Sequence, residues 1–232
     1  DGTESWVVEV EALDWKWLFF YPDYGIAAVN EMAAPVDRPI ACKMTASSVM
    51  NSFYLPALAG MIYAMPGMQT RLHAVINNPG TFEGFSSNFS GEGFSHMRFA
   101  FRGLEQADFD SWIAQVKQNG TMLNRDSYLK LEKPSIREPV RYFSAVEDGL
   151  YEAVLNMCVR PGQMCMRDMM HIDHMGGGGL DSHDNKSRQE HDNRHSKEES
   201  PTPLPQAQAL PEETEKPGHD EQSMPCEASA PD

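Results

Sequence analysis

Residues 1–103 predict a mainly β fold, a sandwich or barrel of short strands, and residues 104–163 a small helical region behind it. Three observations carry this. Before Gly103, apolar residues alternate with period two in several short runs broken by Gly and Pro. After Gly103 the period becomes that of an amphipathic helix. From residue 164 onward the chain turns polar and acidic, which predicts a Met- and His-containing disordered tail over 164–232.

The first strand is expected at Trp6–Glu11, followed by the aromatic run DWKWLFFY, which Pro22-Asp23-Tyr24-Gly25 closes. A short AAVNEM run follows and ends at Pro35. Ile40, Cys42 and Met44 then alternate with Ala41, Lys43 and Thr45, as a half-buried strand requires. Leu72, Ala74 and Ile76 repeat the pattern, and so do Met97, Phe99 and Phe101. Beyond Gly103, Phe109, Trp112, Ile113 and Val116 fall on one helical face that Asn119-Gly120 stops. A second short helix is expected around Asp126–Leu131, ended before Pro134. A third is expected from Ser144, with Glu147 completing a capping box, to about Met157, where Arg160-Pro161-Gly162 ends the segment. From 176 to 232 little is apolar enough to offset the entropy of ordering.

Charge narrows the classes of partner. Residues 171–232 hold 14 Asp/Glu against 5 Lys/Arg and so carry −9 of the formal −15, leaving the expected folded part only mildly acidic. With no basic stripe, neither nucleic acid nor direct adhesion to anionic lipid is expected. No window approaches the roughly 18 consecutive apolar residues of a membrane span, and the N-terminus lacks the order of a signal peptide. The sequence as it stands reads as soluble. It starts without Met and enters a strand almost at once, so further sequence upstream is expected. Cys42, Cys158, Cys165 and Cys226 show no zinc-ligand spacing. Cys42 reads as a small buried hydrophobe. Cys158 and Cys165 are compatible with a disulfide whose geometry the sequence does not establish.

The motifs DWKW, VMNSFYLP, YAMPGMQTRL and GFSSNFSGEGFSHM together resemble the cupredoxin domain of haem–copper oxidase subunit II, in its bo-type ubiquinol oxidase branch. The helical segment from about Gln106 to Cys158 is similar to the aromatic-rich C-terminal region of that branch, so the likeness spans roughly residues 6–160. It implies a cupredoxin-like Greek-key sandwich. The cytochrome c oxidases of the family hold a dinuclear copper centre with a His in one loop and a Cys-x-Glu-x-Cys-x3-His-x2-Met run in another, soft donors that suit copper. In this sequence Asn51 stands at the first His, Ser86 and Ser90 at the two Cys, Asn88 at the Glu and Phe94 at the second His; Met97 alone survives. A hydroxyl that does not ionise near neutral pH cannot replace a bridging thiolate, so no metal and no cofactor is expected in this chain. His96 reads as a surface residue diverging from a core Met97, on the expectation that strand geometry already holds there.

The resemblance implies a non-catalytic subunit of a proton-pumping enzyme that oxidises ubiquinol and reduces oxygen to water. Haems and one copper are then expected in subunit I, to which this domain would be a stabilising cap on the periplasmic face of the bacterial inner membrane. Two upstream membrane helices, absent from the sequence given, would anchor it. Trp15 and Trp17, lacking a copper acceptor, are candidates for packing or for an interface with subunit I. The alternative is a copper carrier that uses the run CMRDMMHIDHM, with Cys165, His171 and His174 as its metal candidates.

Overall fold

The computed structural model describes residues 5–58 and 60–175. Twelve strands among them form two sheets. The first contains β1 (Trp6–Leu13), β2 (Lys16–Tyr21), β3 (Ile26–Val29), β5 (Ile40–Ala46), β8 (Thr70–Ala74), β11 (Thr121–Leu123) and β12 (Arg141–Val146), ordered β11-β12-β3-β2-β1-β5-β8. The second contains β4 (Glu31–Pro35), β6 (Asn51–Leu55), β7 (Gly60–Ala64), β9 (Gly80–Ser86) and β10 (Arg98–Leu104), ordered β4-β10-β9-β6-β7. This is the mainly β, cupredoxin-like sandwich expected, with few helices behind it.

The alternation of β1 explains how the sheets meet. Trp6, Val8, Val10 and Ala12 point into the core between them, joined by Trp17, Phe19 and Tyr21 from β2 and by Phe53, Phe99 and Phe101 from the second sheet. The opposite face of the first sheet is covered as well. Leu13, Leu18, Phe20, Ala27 and Val29 pack there against Tyr128 and Leu131 of α2 (Arg125–Glu132) and Leu150, Tyr151 and Val154 of α3 (Leu150–Leu155). A strand apolar on both faces, such as KWLFFY, suits that position, and all six of its residues are buried. The AAVNEM run divides at Asn30, whose φ of 58° turns the chain from β3 in one sheet to β4 in the other. Its amide holds the crossing, accepting from Trp17 N at 2.8 Å and donating to Glu138 O at 2.8 Å.

The helix α1 (Gln106–Asn119) buries Phe109, Trp112, Ile113 and Val116, the face its period predicts. Gly120 follows it in extended rather than left-handed backbone (φ −86°, ψ 163°). The second helix is found slightly longer than expected, with an Asn124–Ser127 capping box.

Two expectations fail. The helix predicted from Ser144 to about Met157 is instead the strand β12 followed by the shorter α3. The Ser144 hydroxyl donates to Gly120 O at 3.0 Å, and the Glu147 carboxylate accepts from Arg125 N, at the start of α2, at 2.9 Å, so neither side chain caps the helix expected from Ser144. Pairing of Arg141–Phe143 with Ala27–Val29 buries Phe143 under the first sheet, and that burial outweighs the local capping signal. The disordered tail, expected from residue 164, also begins too early. Met166–His174 form the helix α4, whose start is tethered by a disulfide between Cys158 and Cys165 with a Cα–Cα distance of 4.7 Å. Disorder predicted over 176–232, and Cys226 within it, lie outside the described residues.

Candidate functional site

At one end of the second sheet, the loop between β9 and β10 meets the loop that enters β6. Asn51 opens β6 and is buried, as is Ser86 at the end of β9. The Ser86 hydroxyl lies 3.2 Å from Asn51 Oδ1 and accepts from Ser52 N at 3.4 Å. Asn51 Nδ2 donates to Val49 O at 3.1 Å, and Asn88 Nδ2 donates to Met50 O at 3.2 Å. The polar atoms at these positions are thus bonded to one another and to the loop backbone. Ser90 Oγ is the exception, buried with no hydrogen-bond partner among the described residues. Phe94 packs edge-on against the highly exposed Phe89 with ring centres 5.7 Å apart. Met97 is fully buried in the core, and its carbonyl accepts from Ser86 N at 3.2 Å.

His96 ends a short 3-10 turn, Phe94–His96, so the strand geometry expected to separate it from Met97 begins only at Arg98. The two side chains diverge all the same. His96 is exposed, with Nδ1 accepting from Arg137 Nε at 3.4 Å.

The two tryptophans separate in role. Trp17 is wholly buried, edge-on to Phe53 and Phe99, which excludes it from any interface and leaves packing. Trp15 is half-buried and lies across the β9–β10 loop, its Nε1 donating to Ser90 O at 3.1 Å. A Cβ added at Gly93 would sit 2.5 Å from the Trp15 ring, so only glycine lets the indole lie this close. Among the tail candidates, Cys165 is consumed by the disulfide and offers no thiolate. His171 and His174 are exposed on α4. No group of three or more His, Cys, Asp or Glu positioned for a metal occurs among the described residues.

Sequence reasoning overlooked a buried acid, Glu11, and its half-buried neighbour Glu9. Glu9 and Glu11 alternate with the core valines of β1 and look like a solvated face, but that face lies under α2 and α3. Glu11 is fully buried, accepts a hydrogen bond from Tyr128 Oη and leaves Oε2 unpartnered. Burial pushes its carboxyl up to about 8, with Glu132 adding and the Tyr128 hydrogen bond opposing. Burial likewise raises Glu9 to about 7, opposed by Lys43 and reinforced by Glu152. The signal was present in the sequence, since helices following a complete β-domain must cover one of its sheets.

Comparison with known proteins places the chain in a family. Residues 23–104 match the family described as cytochrome c oxidase subunit II, periplasmic domain, and residues 117–162 match the COX aromatic rich motif. The ubiquinol oxidase subunit 2 of Acetobacter aceti is 49% identical over 154 residues, covering 66% of this chain and 50% of that protein. The cytochrome bo(3) ubiquinol oxidase subunit 2 of Pseudomonas putida is 44% identical over 149 residues, covering 64% and 48%. The chain spans about half the length of the curated relatives it matches. The solved periplasmic domain of cytochrome oxidase subunit II from Bradyrhizobium japonicum aligns with a TM-score of 0.48 at 26% identity, over 50% of this chain and 96% of that one. The two family matches define a periplasmic-type domain of an oxidase subunit II. The chain belongs to the haem–copper oxidase subunit II family, among relatives named as ubiquinol oxidase subunits. Among the described residues no helix is long and apolar enough to cross a membrane.

Proposed function

We propose that this chain is the extracytoplasmic part of subunit II of a proton-pumping ubiquinol oxidase, a structural subunit with no catalytic residue of its own. The observation that carries this is the chemistry at the copper positions of the family. Asn51, Ser86, Asn88 and Ser90 offer amides and neutral hydroxyls, mostly committed to one another, and Phe94 offers no donor. A dinuclear copper centre needs thiolate and imidazole donors, so these residues do not fit one. Without that centre the domain has no acceptor for electrons from a cytochrome, whereas a lipid-soluble quinol delivers them within the membrane. Haems and copper then belong to subunit I. The role left to this domain is to cap that subunit on the periplasmic side of the inner membrane, with half-buried Trp15 as its remaining interface candidate and anchoring supplied by segments beyond this sequence.

Deleting the gene in its host tests the reading. Ubiquinol-driven oxygen uptake by membranes should fall together with the haem spectrum of the assembled oxidase, and both should return with wild type and with Met97→Leu alike. Uptake unaffected by the deletion would overturn the assignment. For the copper positions, the test is copper titration of the full chain. Met97→Leu should leave affinity unchanged, and a tenfold loss would show that the family's copper locus still works.

A further inference from the structure

We propose that the chain carries a thioether site for a soft monovalent cation, Cu(I) or Ag(I), built from Met157 and Met166 over the turn at Gly67. The sulfurs come from segments far apart in sequence and converge on one point. A Cβ added at Gly67 would lie 2.8 Å from Met166 Sδ and 3.5 Å from Met157 Sδ. The sulfurs are therefore at most about 6 Å apart, the sum of those two distances. Rotating one methionine side chain brings them to the roughly 4.6 Å that two metal–sulfur bonds of about 2.3 Å span. Gly67 makes the approach possible twice over, having no Cβ to displace the sulfurs and a φ of +68° that other residues adopt poorly.

The backbone beneath the two methionines is fixed. Met157 directly precedes Cys158 and Met166 directly follows Cys165, so the disulfide clamps the segments that carry both sulfurs. Met166 N also donates to Asn156 O at 2.9 Å, tying the start of α4 to the end of α3. Met68, adjacent to Gly67 in the chain, is 55% exposed. Met157 is itself 39% exposed. Methionines serving only as core filler would be enclosed, whereas these line a turn that solvent reaches. Neutral thioethers with no carboxylate or imidazole among them favour Cu(I) and Ag(I) over Cu(II) or Zn(II). None of these residues belongs to the positions of the family's copper centre, and Cys165 contributes through its disulfide rather than as a ligand.

The test uses the full chain with its disulfide intact and methionine methyl groups labelled with carbon-13. Ag(I), which needs no reductant, is titrated first, then Cu(I) kept reduced with ascorbate. The methyl signals of Met157 and Met166 should shift in step with cation added, and the double variant Met157→Leu, Met166→Leu should bind Ag(I) at least tenfold more weakly. Met170→Leu, on the outer face of α4, should bind as wild type does. Leucine conserves apolar volume, so the double variant should remain folded. If it does not, the methyl shifts in the wild-type chain still decide. Unmoved Met157 and Met166 methyls under saturating Ag(I), or undiminished affinity in the folded double variant, would overturn the proposal.

Discussion

Glu11 should make this domain more stable in mild acid than at neutral pH, and replacing it with glutamine should remove that dependence. A carboxyl whose pKa is raised on folding takes up a proton as the chain folds. Its contribution is therefore fully present below the unfolded value near 4.5 and is lost as pH rises toward the folded value of about 8. Each unit between those limits costs up to 1.36 kcal/mol, so between pH 5 and 7.5 wild type should lose about 3 kcal/mol that Glu11→Gln retains. The groups that face Glu11 are Tyr128 and Glu132 of α2, Tyr151 of α3 and Glu9 beside it on β1. All stay in place in the variant, so the slope from Glu9 largely cancels in the comparison. The assay is urea unfolding of both proteins across that pH range, with m-values compared to confirm that the same surface unfolds. Parallel stability profiles would refute the reasoning, because they would mean that Glu11 binds no extra proton on folding.

Gly93→Ala should force the Trp15 indole off the β9–β10 loop, since the new methyl would meet the ring at 2.5 Å. A loss of about 1–3 kcal/mol in urea, with a red-shifted tryptophan emission, is expected, and unchanged emission would contradict it. Breaking the disulfide with Cys158→Ser and Cys165→Ser releases the loop it closes across a sequence separation of 7 and should cost about 2–3 kcal/mol in the chain-entropy model. Hydrogen exchange should show the lost protection concentrated in α4 and the end of α3, and a uniform loss across both sheets would argue against this local role.

The parts of the fold that were legible are those in which one signal decides. The face of α1 is an example, because Phe109, Trp112, Ile113 and Val116 suit no other period, and all four are buried. Ser144 shows the opposite case. A Ser followed three residues later by Glu is equally available to a strand, and the partner that settles it, β3, lies more than a hundred residues away. Burial of Glu11 was hidden in the same way, because alternation in β1 shows two faces and says nothing about what covers each. At the candidate site, Asn51, Ser86, Asn88, Ser90, Phe94 and Met97 could be named from motif resemblance. The hydrogen bond joining Asn51 to Ser86 could not, because it depends on how two loops meet. The convergence of Met157 and Met166 was equally invisible, because it is created by a turn about ninety residues upstream together with a disulfide that needs its own geometry.

Under the proposed reading the family's copper locus holds no metal in this chain, so its loops must be kept in place by other means. A metal centre crosslinks loops with a binding energy that for structural zinc reaches about 10–16 kcal/mol. Here the same loops are joined by neutral hydrogen bonds worth about 0.5–1.5 kcal/mol each. Those involving side chains at the locus include Ser86 to Asn51, Ser52 to Ser86, Asn51 to Val49, Asn88 to Met50, Ser87 to Ser52, and Trp15 to Ser90. These six reach only about 6 kcal/mol together, less than a metal would supply. Apolar packing adds to them. The Trp15 ring covers Gly91 and Gly93, while Met97 and Trp17 fix the base of the loop from inside the core. Such a loop is held by contacts that need no metal to be delivered before the domain folds. Under the reading proposed here, that independence suits a subunit whose task is to be folded and in place against its partner, since its function would no longer wait on copper.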